Sequence, residues 1–293
     1  MRLAITGSSG FVGRFIVEDA LASGDEVLAL SRRAPVVGAF SCPVKHVPFD
    51  LDAPPPALEG VDAVVHLAFS HLPGRYRGGE GNDPDGFLQR NLDGTRRLFE
   101  AAHRAGVRRV VFLSSRAVYG GFPPGTSLSE DLPPRPDTLY GRVKLEAEQA
   151  LETLIGSSLT GVSLRATGVY GPAGKGQLQK WQGLFNAFLR GEVIAPRVAS
   201  EVHGVDLAAA VRLVLTAGTA PPAVLNVSDL LLDRHDLLAA VTDLTGQVGL
   251  LPRRADARTV SVMTTDSLRK LGWRPRGMHL LRTSLPEMLR QAR

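Results

Sequence analysis

A tyrosine and a lysine four residues apart, Tyr140 and Lys144, are the side chains whose types and spacing point most directly to chemistry. On a helix, residues at this spacing share one face. A lysine ammonium beside a phenol stabilises the phenolate and lowers the pKa of the tyrosine, which can then exchange a proton with an alcohol or carbonyl oxygen. Ser115 can hydrogen-bond the same oxygen. Alone, the pair is more typical of an exposed helical surface, so its interpretation depends on the elements that hold it.

Those elements are a strand and a helix. The apolar run from Arg109 to Leu113 predicts a strand that ends in Ser114 and Ser115. A proline-rich loop follows, and the spacing then predicts a helix over residues 138–154, which carries Tyr140 and Lys144.

A glycine-rich turn opens the chain. Leu3 to Thr6 predicts a buried strand, and the segment from Gly7 to Gly13 leads directly into a predicted helix. Gly7 suits a tight turn, Gly10 lets backbone N–H groups approach a pyrophosphate, and Gly13 lets helix and strand pack closely. A turn without a ligand is the alternative. Together with the Tyr140–Lys144 pair, the turn favours a bound nicotinamide dinucleotide that takes or gives a hydride.

Strands and helices alternate through the first 170 residues. Further strands are predicted over residues 26–30, 44–47, 62–68 and 162–165. This alternation predicts an α/β fold, a Rossmann-like doubly wound parallel sheet with helices on both faces. Ligands of such sheets bind at the carboxyl ends of the strands, so Ser31, Ala68, Ser115 and Thr167 are expected at the same edge as the glycine turn.

The pattern loosens after residue 170. Helices are predicted over residues 178–190, 205–215, 235–244 and 284–290, with short strands near Val193 and Val224. We therefore divide the chain into a dinucleotide-binding region, 1–168, and a smaller mixed α/β substrate region, 169–293, some of whose segments return to the main sheet.

Composition narrows the class of protein. The 293 residues are 44% hydrophobic and 22% charged, as in ordinary globular proteins, and the formal net charge of +5 is scattered. We expect no nucleic-acid surface, no membrane span and no metal site. We also expect a cytoplasmic location, because the chain starts directly in a strand. The single cysteine, Cys42, is predicted to be buried and inert.

Taken together, these motifs resemble the extended short-chain dehydrogenase/reductase family, in its epimerase/dehydratase branch. The matching segments are Thr6–Gly13, Asp50–Leu51, His66–Ala68, Asn91–Thr95, Ser114–Gly120, Glu130–Asp131, Tyr140–Lys144, Leu164–Pro172 and Val202–Ala208. The resemblance implies a Rossmann-like sheet, a catalytic set of Ser115, Tyr140 and Lys144, and a homodimer formed through the helices near Asn91 and Tyr140.

The resemblance also implies where the coenzyme lies. Its expected contacts are Gly7, Ser9, Gly10, Phe11, Val12, Gly13, Ser31, Arg32, Arg33, Asp50, Leu51, Leu67, Ala68, Phe69, Asn91, Ser114, Tyr140, Lys144, Ala166 and Thr167.

The residues after the second strand bear on the choice of coenzyme. An Asp or Glu there would accept a hydrogen bond from the ribose 2′-OH of NAD, but the chain has Ser31, followed by Arg32 and Arg33. A guanidinium can clamp a 2′-phosphate. NADP(H) is therefore expected to be preferred, with NAD(H) as the alternative coenzyme. The other interpretation of Arg32 and Arg33 is that both are solvated and bind no phosphate.

The substrate segments depart from the family pattern. Nucleotide-sugar enzymes of the family usually have Asn where this chain has Gly168, and an Arg before the segment that matches Val202–Ala208; here Arg197 is nearby but not aligned. The glycine-rich loop over 70–86 and the segment over 174–177 are expected to shape the pocket. Arg75, Arg77 and Lys175 can meet an acidic or phosphorylated group there, or remain solvated.

The leading hypothesis is an NAD(P)-dependent oxidoreductase that interconverts a ketone and a secondary alcohol on a sugar-like or other small polar substrate. The alternative is a nucleotide-sugar 4-epimerase, which uses the same hydride chemistry twice. A dehydratase is disfavoured because Arg116 and Ala117 stand where it needs an acid–base pair. A non-catalytic dinucleotide sensor is disfavoured because Tyr140 and Lys144 are both present.

Overall fold

The fold follows the alternation of short apolar runs and amphipathic segments. The computed structural model describes residues 1–72, 78–247 and 249–291. The strands in these ranges are, in chain order, β1 (Arg2–Thr6), β2 (Glu26–Ser31), β3 (Lys45–Pro48), β4 (Ala63–His66), β5 (Arg109–Ser115), β6 (Ser127–Leu128), β7 (Thr160–Ala166), β8 (Gly168–Tyr170), β9 (Val198–His203), β10 (Val224–Val227), β11 (Leu230–Asp233) and β12 (Val262–Met263).

The helices lie between these strands and along the chain's last third. They are α1 (Phe11–Ala22), α2 (Pro84–Leu88), α3 (Gly94–Arg104), α4 (Leu139–Glu152), α5 (Gln182–Leu189), α6 (Gly204–Thr216), α7 (Arg234–Thr245), α8 (Asp266–Lys270) and α9 (Gly277–Arg290). A π-helical turn, Gln89–Asp93, joins α2 to α3. No helix in the described ranges is both long and apolar enough to cross a membrane.

Seven strands form the main sheet, in the order β10-β7-β5-β4-β1-β2-β3, and all neighbours are parallel. The strand order reverses at β1, since β2 lies on one side of it and β4 on the other. Such a switch point opens a crevice at the carboxyl ends of the central strands. The arrangement confirms the predicted Rossmann-like α/β class.

Both faces of the main sheet are covered, which is why its central strands are apolar on both sides. Leu3 and Ile5 point into a core formed with α1 and α6, whereas Ala4 belongs to the core on the opposite face, under α3 and α4. This is the two-residue alternation expected of a strand. Packing on both faces holds β1 in place and so fixes the position of the glycine turn that follows it.

A smaller mixed region lies beside the sheet. Strands β11, β9 and β8 form a three-stranded sheet in which β8 and β9 are parallel and β11 is antiparallel. A third apolar cluster packs α5, α7 and α9 around Tyr170 and Trp181. The strand β10 lies at the edge of the main sheet, beside β7.

Several local predictions were wrong. Val193 lies in no strand and is 82% exposed; the strand that follows it, β9, begins at Val198. The helix predicted from residue 178 begins at Gln182, and the last helix begins at Gly277, earlier than predicted. Cys42 is exposed rather than buried, because the irregular segment between β2 and β3 places it at the surface.

Candidate active site

A cavity of about 1080 Å³ opens at the carboxyl edge of the main sheet. It is lined by residues that follow β1, β2, β4, β5 and β7, as the strand-end argument predicts. The predicted catalytic residues Ser115, Tyr140 and Lys144 all line it. So do most of the predicted coenzyme contacts, namely Gly7, Ser9, Gly10, Phe11, Val12, Gly13, Ser31, Arg32, Asp50, Leu51, Leu67, Ala68, Phe69, Ser114, Ala166 and Thr167.

The turn after β1 has the close approaches that its glycines require. Gly7 adopts a positive φ of 65°, and a Cβ there would lie 2.9 Å from the backbone nitrogen of Ala68. A Cβ on Gly13 would lie 2.7 Å from the Cα of Ser8, so α1 could not pack this closely on the turn with a larger residue. The first N–H groups of a helix lack intrahelical partners and suit a phosphate. The turn therefore fits the pyrophosphate of a dinucleotide.

Helix α4 brings Tyr140 and Lys144 to the cavity wall. Thr138 caps the helix, accepting a hydrogen bond of 3.0 Å from the backbone N–H of Gly141. Tyr140 is half-buried and packs edge-on against the Phe69 ring, with 5.0 Å between the ring centroids. The next turn of the helix places Lys144 below it, on the same face.

Lys144 is almost completely buried, with 2% of its surface exposed. Its ammonium donates a hydrogen bond of 2.7 Å to the carbonyl of Leu113 and lies 4.4 Å and 4.7 Å from the ring centroids of Phe69 and Phe112. Burial lowers the pKa of Lys144 to about 7, and the nearby carboxylate of Glu148 acts in the opposite direction. Near neutral pH, Lys144 is therefore close to the midpoint between its charged and its neutral form.

The two serines at the end of β5 have different surroundings. Ser115 is half-buried, and its Oγ accepts a hydrogen bond of 3.1 Å from the backbone N–H of Ala117. The hydroxyl hydrogen of Ser115 thus remains available for an oxygen in the cavity. Ser114 instead donates to the carboxylate of Glu148.

Behind this wall lies a buried ionic network that the motifs did not predict. Arg165 and Glu148, each with 4% of its side chain exposed, pair at 2.7 Å. Arg165 also donates to Tyr119 Oη at 3.0 Å, and that hydroxyl donates to Asn226 at 2.9 Å. The only sequence signal was that Glu148 follows Lys144 by four residues and so shares its helix face.

Two predicted coenzyme contacts do not reach the cavity. Asn91 is buried, with its amide engaged by Ser70: its oxygen accepts from the Ser70 N–H at 2.6 Å and its nitrogen donates to the Ser70 carbonyl at 2.8 Å. It therefore holds the segment after β4 rather than lining the cavity. Arg33 is exposed and lies outside the lining, whereas its neighbour Arg32 lies within it. The Ser31 hydroxyl donates to the Arg33 carbonyl at 2.8 Å.

The expected substrate loops contribute in part. Arg75 and Arg77 lie outside the described residues. Lys175 is exposed and lies outside the cavity lining, with its ammonium 3.4 Å from the Val37 carbonyl. Gln177 donates a hydrogen bond of 2.7 Å to the Ser9 carbonyl, which ties the 174–177 segment to the glycine turn.

The remaining wall is made by residues that the sequence did not identify as a group. Gly168, Lys180, Arg197 and Glu201 all line the cavity, and the Lys180 ammonium contacts the Glu201 carboxylate. Gly168 and Arg197 were noted only as departures from the family pattern. Lys180 and Glu201 carried no spacing signal, because β8, β9 and the segment before α5 bring them together.

Comparison with known proteins agrees with this geometry. The sequence profile of the NAD dependent epimerase/dehydratase family matches residues 3–228. The dTDP-6-deoxy-L-talose 4-dehydrogenase (NAD(P)(+)) of Kitasatospora kifunensis is 30% identical over 310 residues, covering 94% of this chain and 91% of that protein.

Solved structures resemble the whole chain. MoeE5, in complex with UDP-glucuronic acid and NAD, is 29% identical with a TM-score of 0.80 and covers 100% of both chains. The UDP-glucose 4-epimerase of Thermus thermophilus, in complex with NAD, is 27% identical with a TM-score of 0.76 and covers 99% of both chains. These relatives thus include a dehydrogenase and an epimerase, and both solved structures hold NAD.

Proposed function

The chain belongs to the NAD-dependent epimerase/dehydratase family, and from that premise we propose that it interconverts a ketone and a secondary alcohol on a sugar-like or other small polar substrate. The observation that carries this proposal is that Ser115, Tyr140 and Lys144 line the same cavity as the glycine turn. Gly7–Gly13 and the strand-end residues would hold a dinucleotide, which would supply the hydride acceptor or donor.

The protein's own groups handle the proton. Tyr140 Oη gives a proton to the substrate oxygen during ketone reduction and takes it back during alcohol oxidation. The Lys144 ammonium, four residues along the helix, favours the phenolate form of Tyr140. Ser115 donates a hydrogen bond to the same substrate oxygen and so orients the carbonyl carbon. Phe69, packed on Tyr140 and Lys144, shields this side of the site from water.

NADP(H) is the proposed preferred coenzyme. Its support is that Arg32 lines the cavity directly after β2, and that the position of a ribose-binding carboxylate is taken by Ser31. We expect tighter binding of NADPH than of NADH, with the difference lost in Arg32→Gln. Arg33→Gln, next to it but outside the cavity, is the control. Dissociation constants from nucleotide fluorescence check this, and tighter binding of NADH to the unaltered protein would overturn it.

A nucleotide-sugar 4-epimerase is the second candidate, favoured by the likeness to the UDP-glucose 4-epimerase structure. It requires the hydride to return to the same sugar, so it would release no net reduced coenzyme. A dehydrogenase, in contrast, exchanges its coenzyme at each turnover. Net absorbance change of the nicotinamide therefore separates the two reactions.

The test is a panel of sugar-like ketones and alcohols, read by nicotinamide absorbance with both coenzymes, in the unaltered protein and in Tyr140→Phe. Loss of the proton donor is expected to lower kcat by about 10²- to 10⁴-fold while coenzyme affinity changes little. Undiminished turnover by Tyr140→Phe would rule out the proposed role of the tyrosine.

We also propose a homodimer formed through the outer faces of α3 and α4. These helices pack side by side, and their exposed residues form a shallow groove lined by Arg96, Glu100, Glu146 and Gln149. The groove carries both charge signs, so two copies of it can be complementary across a two-fold axis.

A further inference from the structure

The segment that leaves β8 for α5 passes along the mouth of the cavity, next to the glycine turn. Its residue Gln177 donates a hydrogen bond of 2.7 Å to the carbonyl of Ser9, which itself lines the cavity. The next residue, Leu178, also lines the cavity, although 77% of its surface is exposed. An apolar side chain with both properties lies at the opening rather than in the interior. The segment therefore borders the way in and out.

The first half of this segment, residues 171–173, is firmly anchored. All three residues are buried. Arg14 of α1 donates a hydrogen bond of 2.6 Å to the Pro172 carbonyl. Gln291, which follows α9, forms two hydrogen bonds with the backbone of Ala173, at 2.7 Å and 2.8 Å. Two helices thus hold this half in place.

The second half, residues 174–178, is held through the side-chain amide of Gln177. Its oxygen accepts a hydrogen bond of 3.1 Å from the Gly174 N–H, while its nitrogen reaches the Ser9 carbonyl. The backbone N–H of Gln177 closes the same turn by donating to the Gly174 carbonyl at 3.0 Å. Lys175, Gly176 and Leu178 are exposed. Loss of one amide would therefore loosen this half and leave the anchored half in place.

A second tie runs to the neighbouring strand end. The Lys175 ammonium lies 3.4 Å from the carbonyl of Val37, in the segment that follows β2. Ser9 follows β1, and β1 and β2 are neighbours in the main sheet. A dinucleotide whose pyrophosphate lies on the glycine turn runs its adenosine half toward the end of β2, where Arg32 lines the cavity. The two ties thus lie beside the adenosine half.

Resting on the dinucleotide site of the proposed function, we infer that residues 174–178 form a latch over the adenosine half of the coenzyme. The amide of Gln177 closes the latch, and the coenzyme enters and leaves when it opens. Because the ties join protein groups to each other, the latch closes in the free and in the loaded protein alike.

This arrangement has a kinetic consequence that an ordinary contact lacks. A latch that is closed in both forms lowers the rate constants of association and dissociation by the same factor, because each step waits for the rarer open form. The dissociation constant is then unchanged. A side chain that merely touches the coenzyme slows dissociation and tightens binding.

Stopped-flow fluorescence of NADPH and of NADH measures both rate constants in the full chain and in Gln177→Met, which keeps the length of the side chain and removes its amide. We expect both rate constants to rise about three- to tenfold, the size of one or two neutral hydrogen bonds, and the dissociation constant to stay within about twofold. Gln182→Met, at the first residue of α5, is the matched control and should change neither rate constant.

Amide hydrogen exchange of the coenzyme-free protein gives a second readout, independent of binding and of activity. The backbone amide at position 177 should exchange about three- to tenfold faster in Gln177→Met, because it reports the opening of the latch. The amide of Ala173, which donates to Gln291, should exchange at its original rate.

Three results would overturn the latch. They are unchanged rate constants in Gln177→Met, faster dissociation with unchanged association, and an Ala173 amide that accelerates as much as the amide at position 177. Failure of the proposed function looks different. Coenzyme binding without hydride transfer across the ketone and alcohol panel removes the oxidoreductase proposal and leaves the latch kinetics measurable, whereas failure to bind either dinucleotide removes both.

Discussion

At the scale of single residues, Lys144 is the group on which the proposed chemistry depends most delicately. Its ammonium is enclosed by Phe69, Phe112 and the Leu113 carbonyl, and burial brings its pKa down to about 7. Glu148, one turn further along α4, acts against that shift. The state of the lysine beside Tyr140 is therefore set by a carboxylate that is itself held by Arg165.

Replacing Glu148 by Gln is expected to lower the pKa of Lys144 further below 7, because the opposing carboxylate is lost. At pH 7 more of the lysine is then neutral, so kcat/KM falls and recovers at lower pH. The variant also leaves Arg165 buried without its partner, at a cost of about 3–5 kcal/mol in unfolding free energy. Titration of ¹³C-labelled lysine Cε signals measures the pKa directly.

Two further variants keep that measurement interpretable. Glu152→Gln removes an exposed carboxylate from the same helix and should leave the Lys144 signal in place. Glu148→Asp keeps the charge and should restore part of the shift. A Lys144 pKa that is the same in Glu148→Gln and in the unaltered protein would show that Glu148 acts only on stability.

At the scale of elements, the main-sheet strands β1 to β5 and β7 and helix α4 were predictable because each has its own local signal. The apolar runs of β1, β4 and β5 and the capped α4 specify their structure through spacing and termination. The strand ends then converge by a topological rule, so the position of Ser115 in the cavity could be predicted without any contact being known. The Rossmann-like class and most of the cavity lining follow from this.

The later segments lack such signals. Strand β8 has only three residues, and β8 and β9 pair with partners distant in the sequence, so their register comes from tertiary packing rather than from alternation. The cluster of Lys180, Arg197 and Glu201 depends on that register, which is why no spacing predicted it. We still propose the division into 1–168 and 169–293 by role, although β10, from the second part, completes the edge of the main sheet.

At the scale of the whole molecule, two buried histidines connect the layers of the fold. His66 of β4 lies between Thr6 of β1 and Thr95 of α3, at 2.7 Å and 2.9 Å from their hydroxyl oxygens. The Thr6 hydroxyl already accepts from the N–H groups of Leu67 and Ala68, so it donates its hydrogen to Nδ1 of His66. His66 is then neutral, with its hydrogen on Nε2 directed at Thr95. His203 similarly caps α6 and contacts Ser284 of α9.

Acid should therefore weaken the fold before most carboxylates titrate. Burial lowers the pKa of His66 from 6.5 to about 3 and that of His203 to about 4. Between those values and 6.5 the unfolded chain binds more protons than the folded one, so the unfolding free energy falls as pH falls.

Each of these two histidines should lower the unfolding free energy by about 2 kcal/mol between pH 7 and pH 5. Urea unfolding across this range should show the decline, and His66→Gln should reduce its slope whatever its effect at pH 7, while the lowered pKa values of His203 and His71 sustain the rest. Exposed His103→Gln is the control, and an unchanged slope in His66→Gln would mean that the imidazole is already protonated in the folded protein.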